Sequence, residues 1–224
     1  MRSASDRSSR ALAVAAATPG FLEHREGLAL ARLAARASTS GLGPLVEVGA
    51  YRGRSTCYLA AGVLSAALPH GGAASPLFSV DHHRGSEEMQ AGWPAHDPDV
   101  VDTATGRMDS LASWRATLEA AGLEDVVVGI VGDSPTVAAW WGRPVSLVLL
   151  DGGHGEEIAW ADYRGWSPHV APGGVLAIHD VFPDPLDGGR PPYDCYLDAL
   201  ASGRFVEDAD AASGSLRVLR RTPD

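Results

Sequence analysis

Lysine is absent from this sequence, and all eighteen basic residues are arginines. No lysine can therefore act as a general base, form a Schiff base or hold a phosphate group. Cysteine is scarce as well: Cys57 and Cys195 are the two present, and their spacing fits neither a zinc site nor a redox motif. We accordingly expect a reducing, cytoplasmic environment. No apolar run approaches the roughly 18 residues that a membrane-spanning helix requires.

Positive charge is in the minority, since the formal net charge of the 224 residues is -10 at pH 7. This balance disfavours a broad nucleic-acid-binding surface, which needs clustered cations. A small, neutral or polar substrate fits better. The length suits one α/β domain that buries a real core. We assign residues 21–224 to that single domain and expect residues 1–20 to be a flexible tail, whose basic start and Ala-rich run only loosely resemble a signal peptide.

Short apolar runs alternate with segments of helical character along the chain. Strands are expected at 44–48, 76–80, 126–131, 146–150 and 175–179, helices at 21–37, 54–67, 109–121, 134–141, 156–170 and 192–202, and a closing hairpin at 205–208 and 215–221. Nearly continuous apolar strands that alternate with helices predict a doubly wound α/β fold with a mostly parallel sheet. In such a sheet, ligands bind at the carboxyl ends of the strands.

The first strand runs into the segment EVGAYRGRST, residues 47–56. Gly49 and Gly53 allow a tight turn before a helix, but their spacing differs from the G-x-G-x-x-G pattern of a dinucleotide site. Glu47 would repel a pyrophosphate and attract the cationic methionyl end of a sulfonium cofactor. A nicotinamide oxidoreductase is therefore disfavoured, although a plain strand–turn–helix remains an alternative.

Acidic residues also follow the later strands. Asp81 is placed to accept hydrogen bonds from ribose hydroxyls, a role that suits nicotinamide and S-adenosyl cofactors alike. Asp133 could accept a hydrogen bond from an adenine amino group or cap the helix that begins near Ser134. Asp151 and Asp180 end two strands and should meet in one crevice, where a divalent ion such as Mg²⁺ would relieve their repulsion. We also expect Glu47 and Asp81 to line one cavity.

The segment LVEVGAYRGRST resembles motif I of class I S-adenosylmethionine-dependent methyltransferases. Residues 151–182 resemble the later half of the metal-dependent O-methyltransferases that act on macrolide sugars (the macrocin and mycinamicin type). This resemblance covers residues 44–182 and implies a seven-stranded sheet with an antiparallel last strand, with S-adenosylmethionine and Mg²⁺ or Mn²⁺ as cofactors. The cofactor contacts that it implies are Glu47, Gly49, Tyr51, Gly53, Ser55, Asp81, Asp133, Ser134 and Asp151.

The same resemblance implies a metal site and a base. Asp151, His179 and Asp180 would hold the ion, with Asp151 also catalytic. His179 is a departure, because the better-known sugar enzymes have an acid there; an imidazole would favour Mn²⁺, and a histidine satisfied by the backbone is the alternative. His154 stands where the sugar enzymes place a histidine base, and an unperturbed pKa would leave it mostly neutral at pH 7. A loop histidine hydrogen-bonded to Glu156 or Glu157 is the other interpretation.

We therefore expect a metal-assisted O-methyltransferase that acts on a hydroxyl of a sugar or sugar-containing metabolite. A catechol or phenolic acceptor, or a non-catalytic S-adenosylmethionine-binding protein, are the alternatives. The polar segment 82–108 is the expected lid or acceptor-binding insert, with His82, His83, Arg84, Trp93 and His96 as candidate contacts. Neither nucleic acid nor membrane is an expected partner, and a homodimer is possible.

Overall fold

The computed structural model describes residues 3–66, 75–93 and 95–223. The strands are β1 (Leu45–Val48), β2 (Leu77–Asp81), β3 (Val101–Asp102), β4 (Arg107–Met108), β5 (Val127–Val131), β6 (Val145–Leu150), β7 (Val170–Ile178), β8 (Phe205–Glu207) and β9 (Arg217–Arg221). The helices are α1 (Ala4–Ala17), α2 (His24–Ser38), α3 (Arg54–Ser65), α4 (Leu111–Ala121), α5 (Ser134–Ala139), α6 (Glu156–Trp166), α7 (Pro185–Gly188) and α8 (Pro191–Ala201). Within the described residues, no helix is both long and apolar enough to cross a membrane.

Seven strands form one sheet in the order β5-β2-β1-β6-β7-β9-β8. The first five in this order run parallel, and β9, the last strand of the chain, pairs antiparallel with both β7 and β8. The predicted fold class, a doubly wound and mostly parallel seven-stranded sheet with an antiparallel last strand, is confirmed. Because the chain reverses its winding direction at β1, a crevice opens between the loops that follow β1 and β6.

Both faces of the sheet are covered by helices, which explains why the strands are nearly continuous apolar runs. Along β6, Leu147 and Leu149 face a core shared with α1, α2, α3 and α4. Val148 and Leu150 face the opposite core, shared with α5, α6 and α8. All six residues of β6 are buried, so the strand that ends at the crevice is held from both sides.

The expected flexible tail is wrong for residues 4–17, which form α1. A capping box between Ser3 and Asp6 begins this helix. Its small residues bring it close to α3: Ala11 and Ala15 are fully buried, and the Ser8 hydroxyl donates to the carbonyl of Ala61 at 2.9 Å. An Ala-rich helix has little hydrophobic periodicity, and it gains stability from close packing instead.

The strand expected at 175–179 begins five residues earlier and ends before His179. The sequence Pro-Gly-Gly predicts a turn, but in the structure it lies inside β7. Pairing with β6 shifts from Val145–Val170 to Leu147–Val175, so the residues between them bulge. The helix expected at 54–67 ends at Ser65, and position 67 lies outside the described residues.

The insert 82–108 holds two short 3-10 turns, Glu87–Met89 and Pro98–Val100, and the small β3–β4 hairpin. Pro94, in the same segment, lies outside the described residues. The part that is described crosses the carboxyl edge of the sheet. Gly85, Glu88 and Met89 consequently line the crevice.

Candidate active site

A cavity of about 550 Å³ lies at the carboxyl ends of β1, β2, β5 and β6. Nine of the residues expected to bind cofactor, bind metal or catalyse line it: Gly49, Tyr51, Ser55, Asp81, Asp133, Ser134, Asp151, His154 and Asp180. Glu47, Gly53 and His179 do not line it. The volume falls within the usual range for small-molecule sites, about 300–1,000 Å³.

Gly49 allows the loops that follow β1 and β6 to touch. Its φ is 87°, and a Cβ at this position would lie 2.1 Å from the carbonyl oxygen of Asp151. No side chain fits such a contact, so glycine is required here for both conformation and space. Gly53 directly precedes α3 and has a φ of 93°. A Cβ at this position would face Thr117 and Trp114 and not the cavity.

Glu47 is a correction to the sequence-based site. Its side chain is fully buried, and its Oε2 accepts hydrogen bonds from the hydroxyls of Thr56 and Ser79, both at 2.6 Å. Burial raises its pKa to about 7. Strand alternation directs Glu47 towards α3, so the expected contact with the methionyl end of a cofactor and the expected shared cavity with Asp81 are both wrong.

Asp81 instead holds the loop that follows β1. Its Oδ2 accepts from the backbone amides of Ala50 and Tyr51 at 2.9 and 2.8 Å, and its Oδ1 accepts from the amide of His83 at 2.6 Å. Tyr51 has a left-handed φ of 47° that these bonds secure. A carboxylate has about four acceptor positions, so Asp81 retains capacity for ribose hydroxyls.

Asp133 and Ser134 lie together on the β5 side of the cavity. The Oδ2 of Asp133 accepts from the Thr136 amide at 3.0 Å, which caps α5 as one of its two interpretations predicted. The Ser134 hydroxyl accepts from the indole nitrogen of Trp166 at 2.8 Å. Both residues still line the cavity, so the cap does not exclude a contact with adenine.

Asp162 is a cavity residue that the sequence reasoning missed. It lies on α6 with 5% of its surface exposed, and its Oδ1 has no hydrogen-bond partner among the described residues. Burial raises its pKa to about 6. The signal in the sequence was an acid on the helix face that also carries the buried Ala159, Tyr163 and Trp166.

Asp151, His179 and Asp180 converge as expected, with one potential ligand atom from each within 4.8 Å of the others. The Nδ1 of His179 lies 2.8 Å from Asp151 Oδ1 and 3.2 Å from Asp180 Oδ2. This nitrogen is buried and makes no well-directed hydrogen bond to any described residue. This unsatisfied imidazole nitrogen and the two carboxylates form a donor set that suits a divalent cation.

The ring of His179 is not satisfied by the backbone. Its Nε2 lies 3.0 Å from Oε2 of the buried Glu26, a residue of α2 that the sequence reasoning did not select. Burial lowers the pKa of His179, but the carboxylates of Asp151, Asp180 and Glu26 outweigh burial and hold that pKa well above its usual value. The cluster thus attracts positive charge strongly, whether a proton or a metal ion.

His154 is held between two carboxylates. Its Nε2 lies 2.9 Å from Asp180 Oδ2, and its Nδ1 lies 3.3 Å from Glu88 Oε1, which also accepts from the His154 amide at 3.0 Å. Burial lowers the pKa of His154, but hydrogen bonds to Asp180 and Glu88 raise it to about 10. The two carboxylates therefore contradict the expected unperturbed pKa. Glu88, from the insert, was missed because nothing in the sequence separates it from Glu87.

Among the insert candidates, His82 lines the cavity, whereas Trp93 is about half exposed and does not line it. His83 is buried beneath the insert, where its Nδ1 lies 2.9 Å from the Ser110 hydroxyl. Arg84 pairs with Asp109, and the Nδ1 of His96 lies 3.2 Å from the Met89 carbonyl. Apolar groups complete the wall of the cavity: Phe21, Met89, Ile158 and Phe182.

Comparisons with known proteins match this architecture. The O-methyltransferase TomG from Streptomyces achromogenes, involved in tomaymycin synthesis and solved with S-adenosylmethionine, superposes with a TM-score of 0.58 at 15% identity, covering 100% of this chain and 91% of TomG. An O-methyltransferase from Bacillus cereus solved with SAH gives 0.60 at 18% identity, covering 97% and 91%. The O-methyltransferase NovP gives 0.61 at 17% identity, covering 89% and 81%.

These identities establish a shared fold. The family model described as a methyltransferase domain matches residues 46–181, which run from β1 to the residue after Asp180. This match covers more than half of the chain and includes the motif I loop, the acids that follow β2 and β6, and the His179–Asp180 pair. The chain belongs to this methyltransferase family.

Proposed function

We propose that this chain transfers the methyl group of S-adenosylmethionine to a hydroxyl of a sugar or sugar-containing metabolite, with the help of a divalent metal. The convergence of Asp151, His179 and Asp180 beside His154, at the edge of one cavity, carries this proposal. The neighbouring structures with S-adenosylmethionine or SAH bound support the cofactor. Their descriptions as O-methyltransferases support a hydroxyl acceptor.

The cofactor would occupy the side of the cavity between β1, β2 and β5. Asp81 would accept from the ribose hydroxyls, and Asp133 and Ser134 would lie against the adenine. Gly49, Tyr51 and Ser55 would surround the methionyl end, with Asp151 as the nearest acid in place of Glu47. The sulfonium supplies a methyl group that is already electrophilic, so the main task of the chain is alignment.

The metal would be held by Asp151, His179 and Asp180. Mg²⁺ suits the two carboxylates, and the imidazole favours Mn²⁺. A bound cation would lower the pKa of an acceptor hydroxyl and act as the counter-charge for Asp180. The unsatisfied Nδ1 of His179 between the two acids is the observation that fits such an ion.

His154 would take the proton of the acceptor hydroxyl. The acceptor oxygen forms the bond to the methyl carbon, the carbon–sulfur bond breaks, and its electron pair stays on sulfur. The proton would pass to Nε2 of His154, which becomes free to accept it when Asp180 pairs with the cation, while Glu88 accepts from Nδ1 and sets the orientation of the ring. Since Glu88 belongs to the insert, the insert both covers the cavity and positions the base.

The lining of the cavity supports a neutral or cationic acceptor. Eight carboxylate residues line it, namely Asp81, Glu88, Asp133, Asp151, Glu157, Asp162, Asp180 and Asp187. Arg54 also lines it, but its guanidinium is engaged by the carbonyls of Leu22 and Thr18 at 2.7 and 2.8 Å. The apolar wall of Met89, Ile158 and Phe182 favours a catechol or phenolic acceptor as the second candidate.

A methyl-transfer screen over sugars and catechols, with and without EDTA, tests the proposal. We expect chelation to abolish turnover and added Mn²⁺ or Mg²⁺ to restore it. Asp151→Ala should abolish turnover, while calorimetry shows cofactor binding reduced by less than about tenfold, since removing a metal ligand removes chemistry more than cofactor affinity. A rate that is insensitive to EDTA would refute the metal role. Binding of the cofactor without transfer to any acceptor would favour the non-catalytic alternative.

Four further predictions accompany this proposal. The insert 82–108 acts as a lid, which its position across the cavity supports. Residues 21–224 act as one domain, and α1 packs on it as an additional helix. The chain forms a homodimer, for which Trp140, 88% exposed, is a candidate contact. The enzyme works in the cytoplasm.

A further inference from the structure

Glu26 is a buried carboxylate that no step of the proposed reaction uses. It lies in the first turn of α2 with 2% of its surface exposed. Its Oε2 meets the Nε2 of His179 at 3.0 Å and the Glu23 amide at 2.9 Å. Its Oε1 accepts from the Ser215 amide at 2.7 Å and from the Ser215 hydroxyl at 3.0 Å. Both oxygens are thus saturated, which fits an ionised carboxylate that only accepts.

These bonds determine which nitrogen of His179 carries a proton. Because an ionised carboxylate cannot donate, the contact with Glu26 requires hydrogen on Nε2. The free position is then Nδ1, the buried nitrogen that lies 2.8 Å from Asp151 Oδ1 and 3.2 Å from Asp180 Oδ2. A lone pair that faces two carboxylates is repelled unless a proton or a metal ion lies between them, and no well-directed hydrogen bond from Nδ1 to a described residue relieves it.

We propose that Glu26 is a positioning residue of the metal site, which holds the Nε2–H of His179 and so directs Nδ1, as the ligating atom, towards a cation at Asp151 and Asp180. This inference rests on the proposed metal-assisted function. Histidines that bind metals commonly donate their second ring N–H to a carboxylate, which fixes the tautomer and increases the basicity of the ligand. Here that carboxylate comes from a helix 153 positions earlier in the sequence.

The surroundings of Glu26 are built to hold it still. A Cβ on Gly214 would lie 2.2 Å from Glu26 Oε1, and Gly214 has a φ of 58°. The turn before β9 can therefore close onto the carboxylate because position 214 is glycine. With the Ser215 amide on one oxygen and the Glu23 amide on the other, the carboxylate has little freedom to leave His179. The turn before β9 and helix α2 together hold the ring of His179 in place.

Titration with Mn²⁺, followed by the electron paramagnetic resonance signal of the free ion, separates this role from a purely structural one. Glu26→Gln keeps the shape of the side chain but removes its negative charge. The amide of the glutamine also places an N–H donor among partner groups that are all hydrogen-bond donors. We expect its Mn²⁺ affinity to fall about 10- to 100-fold. Glu23→Gln, the same change at the exposed residue that precedes α2, should stay within about threefold of wild type. Asp151→Ala should bind no Mn²⁺ at this site.

Ser215→Ala gives the structural comparison, since it removes one hydrogen bond to Oε1 and leaves Oε2 on His179. It should lower the melting temperature without a matching loss of Mn²⁺ affinity. Unchanged Mn²⁺ affinity in Glu26→Gln refutes the role of Glu26 while leaving the proposed function intact. Failure of the wild-type chain to bind Mn²⁺ refutes both.

A measurement on the wild-type chain covers the case in which Glu26→Gln does not fold. Two-bond ¹H–¹⁵N correlation on ¹⁵N-histidine-labelled protein with Mg²⁺ reports the tautomer of each ring, and the His179 signals are those missing in His179→Gln. We expect hydrogen on Nε2 and none on Nδ1. Hydrogen on Nδ1, or on both nitrogens with saturating Mg²⁺, would overturn the proposal.

Discussion

The buried carboxyl of Glu47 makes the stability of this fold depend on pH. Burial raises its pKa from 4.5 to about 7, against the opposing effect of hydrogen bonds from Ser79 and Thr56. Between these two pH values the native chain keeps a proton that the unfolded chain has lost. The contribution of Glu47 to stability is therefore complete below about pH 4.5 and is lost as the pH rises through about 7.

Glu47→Gln should remove this dependence, because an amide does not ionise. From pH 5 to pH 8, the unfolding free energy of the wild-type chain should fall by about 2–3 kcal/mol more than that of the variant. Urea unfolding at several pH values within this range gives the difference in unfolding free energy between the wild-type chain and the variant. The titration of other groups cancels from this difference because both chains contain them. A difference that stays constant with pH would show that Glu47 remains ionised throughout.

At the scale of the elements, the site depends on how closely the loops after β1 and β6 approach each other. Gly49→Ala places a methyl group against the carbonyl oxygen of Asp151, and we expect overpacking and backbone strain to cost about 2–4 kcal/mol. Gly41→Ala is the matched control, since Gly41 also has a positive φ, 74°, but has no neighbour within 4 Å of its missing Cβ.

The two variants should therefore differ in function as well as in stability. Calorimetry should show a loss of S-adenosylmethionine affinity of at least tenfold for Gly49→Ala, because Asp151 and the loop after β1 must separate. Gly41→Ala should lose about 1 kcal/mol of stability through strain and keep its affinity. Equal behaviour of the two variants would mean that the close approach at Gly49 does not shape the cavity.

The same elements explain how far sequence reasoning reaches. Apolar runs predict every strand of the parallel core, and because parallel strands share one carboxyl edge, the convergence of Asp151 and Asp180 follows from their positions at strand ends. Strand alternation alone could not assign Glu47 to a face, since both faces are buried. Glu26 and Glu88 escaped because their contacts join segments 153 and 66 positions apart in the sequence.

For the molecule as a whole, charge should decide which acceptors the cavity admits. The chain carries a formal net charge of -10, and the carboxylates of the cavity concentrate negative potential at its mouth. A bound divalent ion offsets two of these charges and leaves the lining acidic. The arginine in the wall, Arg54, has two of its donors engaged by backbone carbonyls, so fewer remain for an anionic acceptor.

A phosphorylated acceptor should accordingly be a poor substrate. The test compares a neutral hydroxyl acceptor from the screen with its phosphorylated and amino-substituted derivatives. We expect kcat/KM to be at least about tenfold lower for the phosphorylated derivative than for the neutral compound, and highest for the amino derivative. The spread should narrow as salt rises from 0.05 to 0.5 M, because the screening length falls from roughly 14 to 4 Å. Preference for the phosphorylated compound, or a spread that does not depend on salt, would show that shape and not charge selects the acceptor.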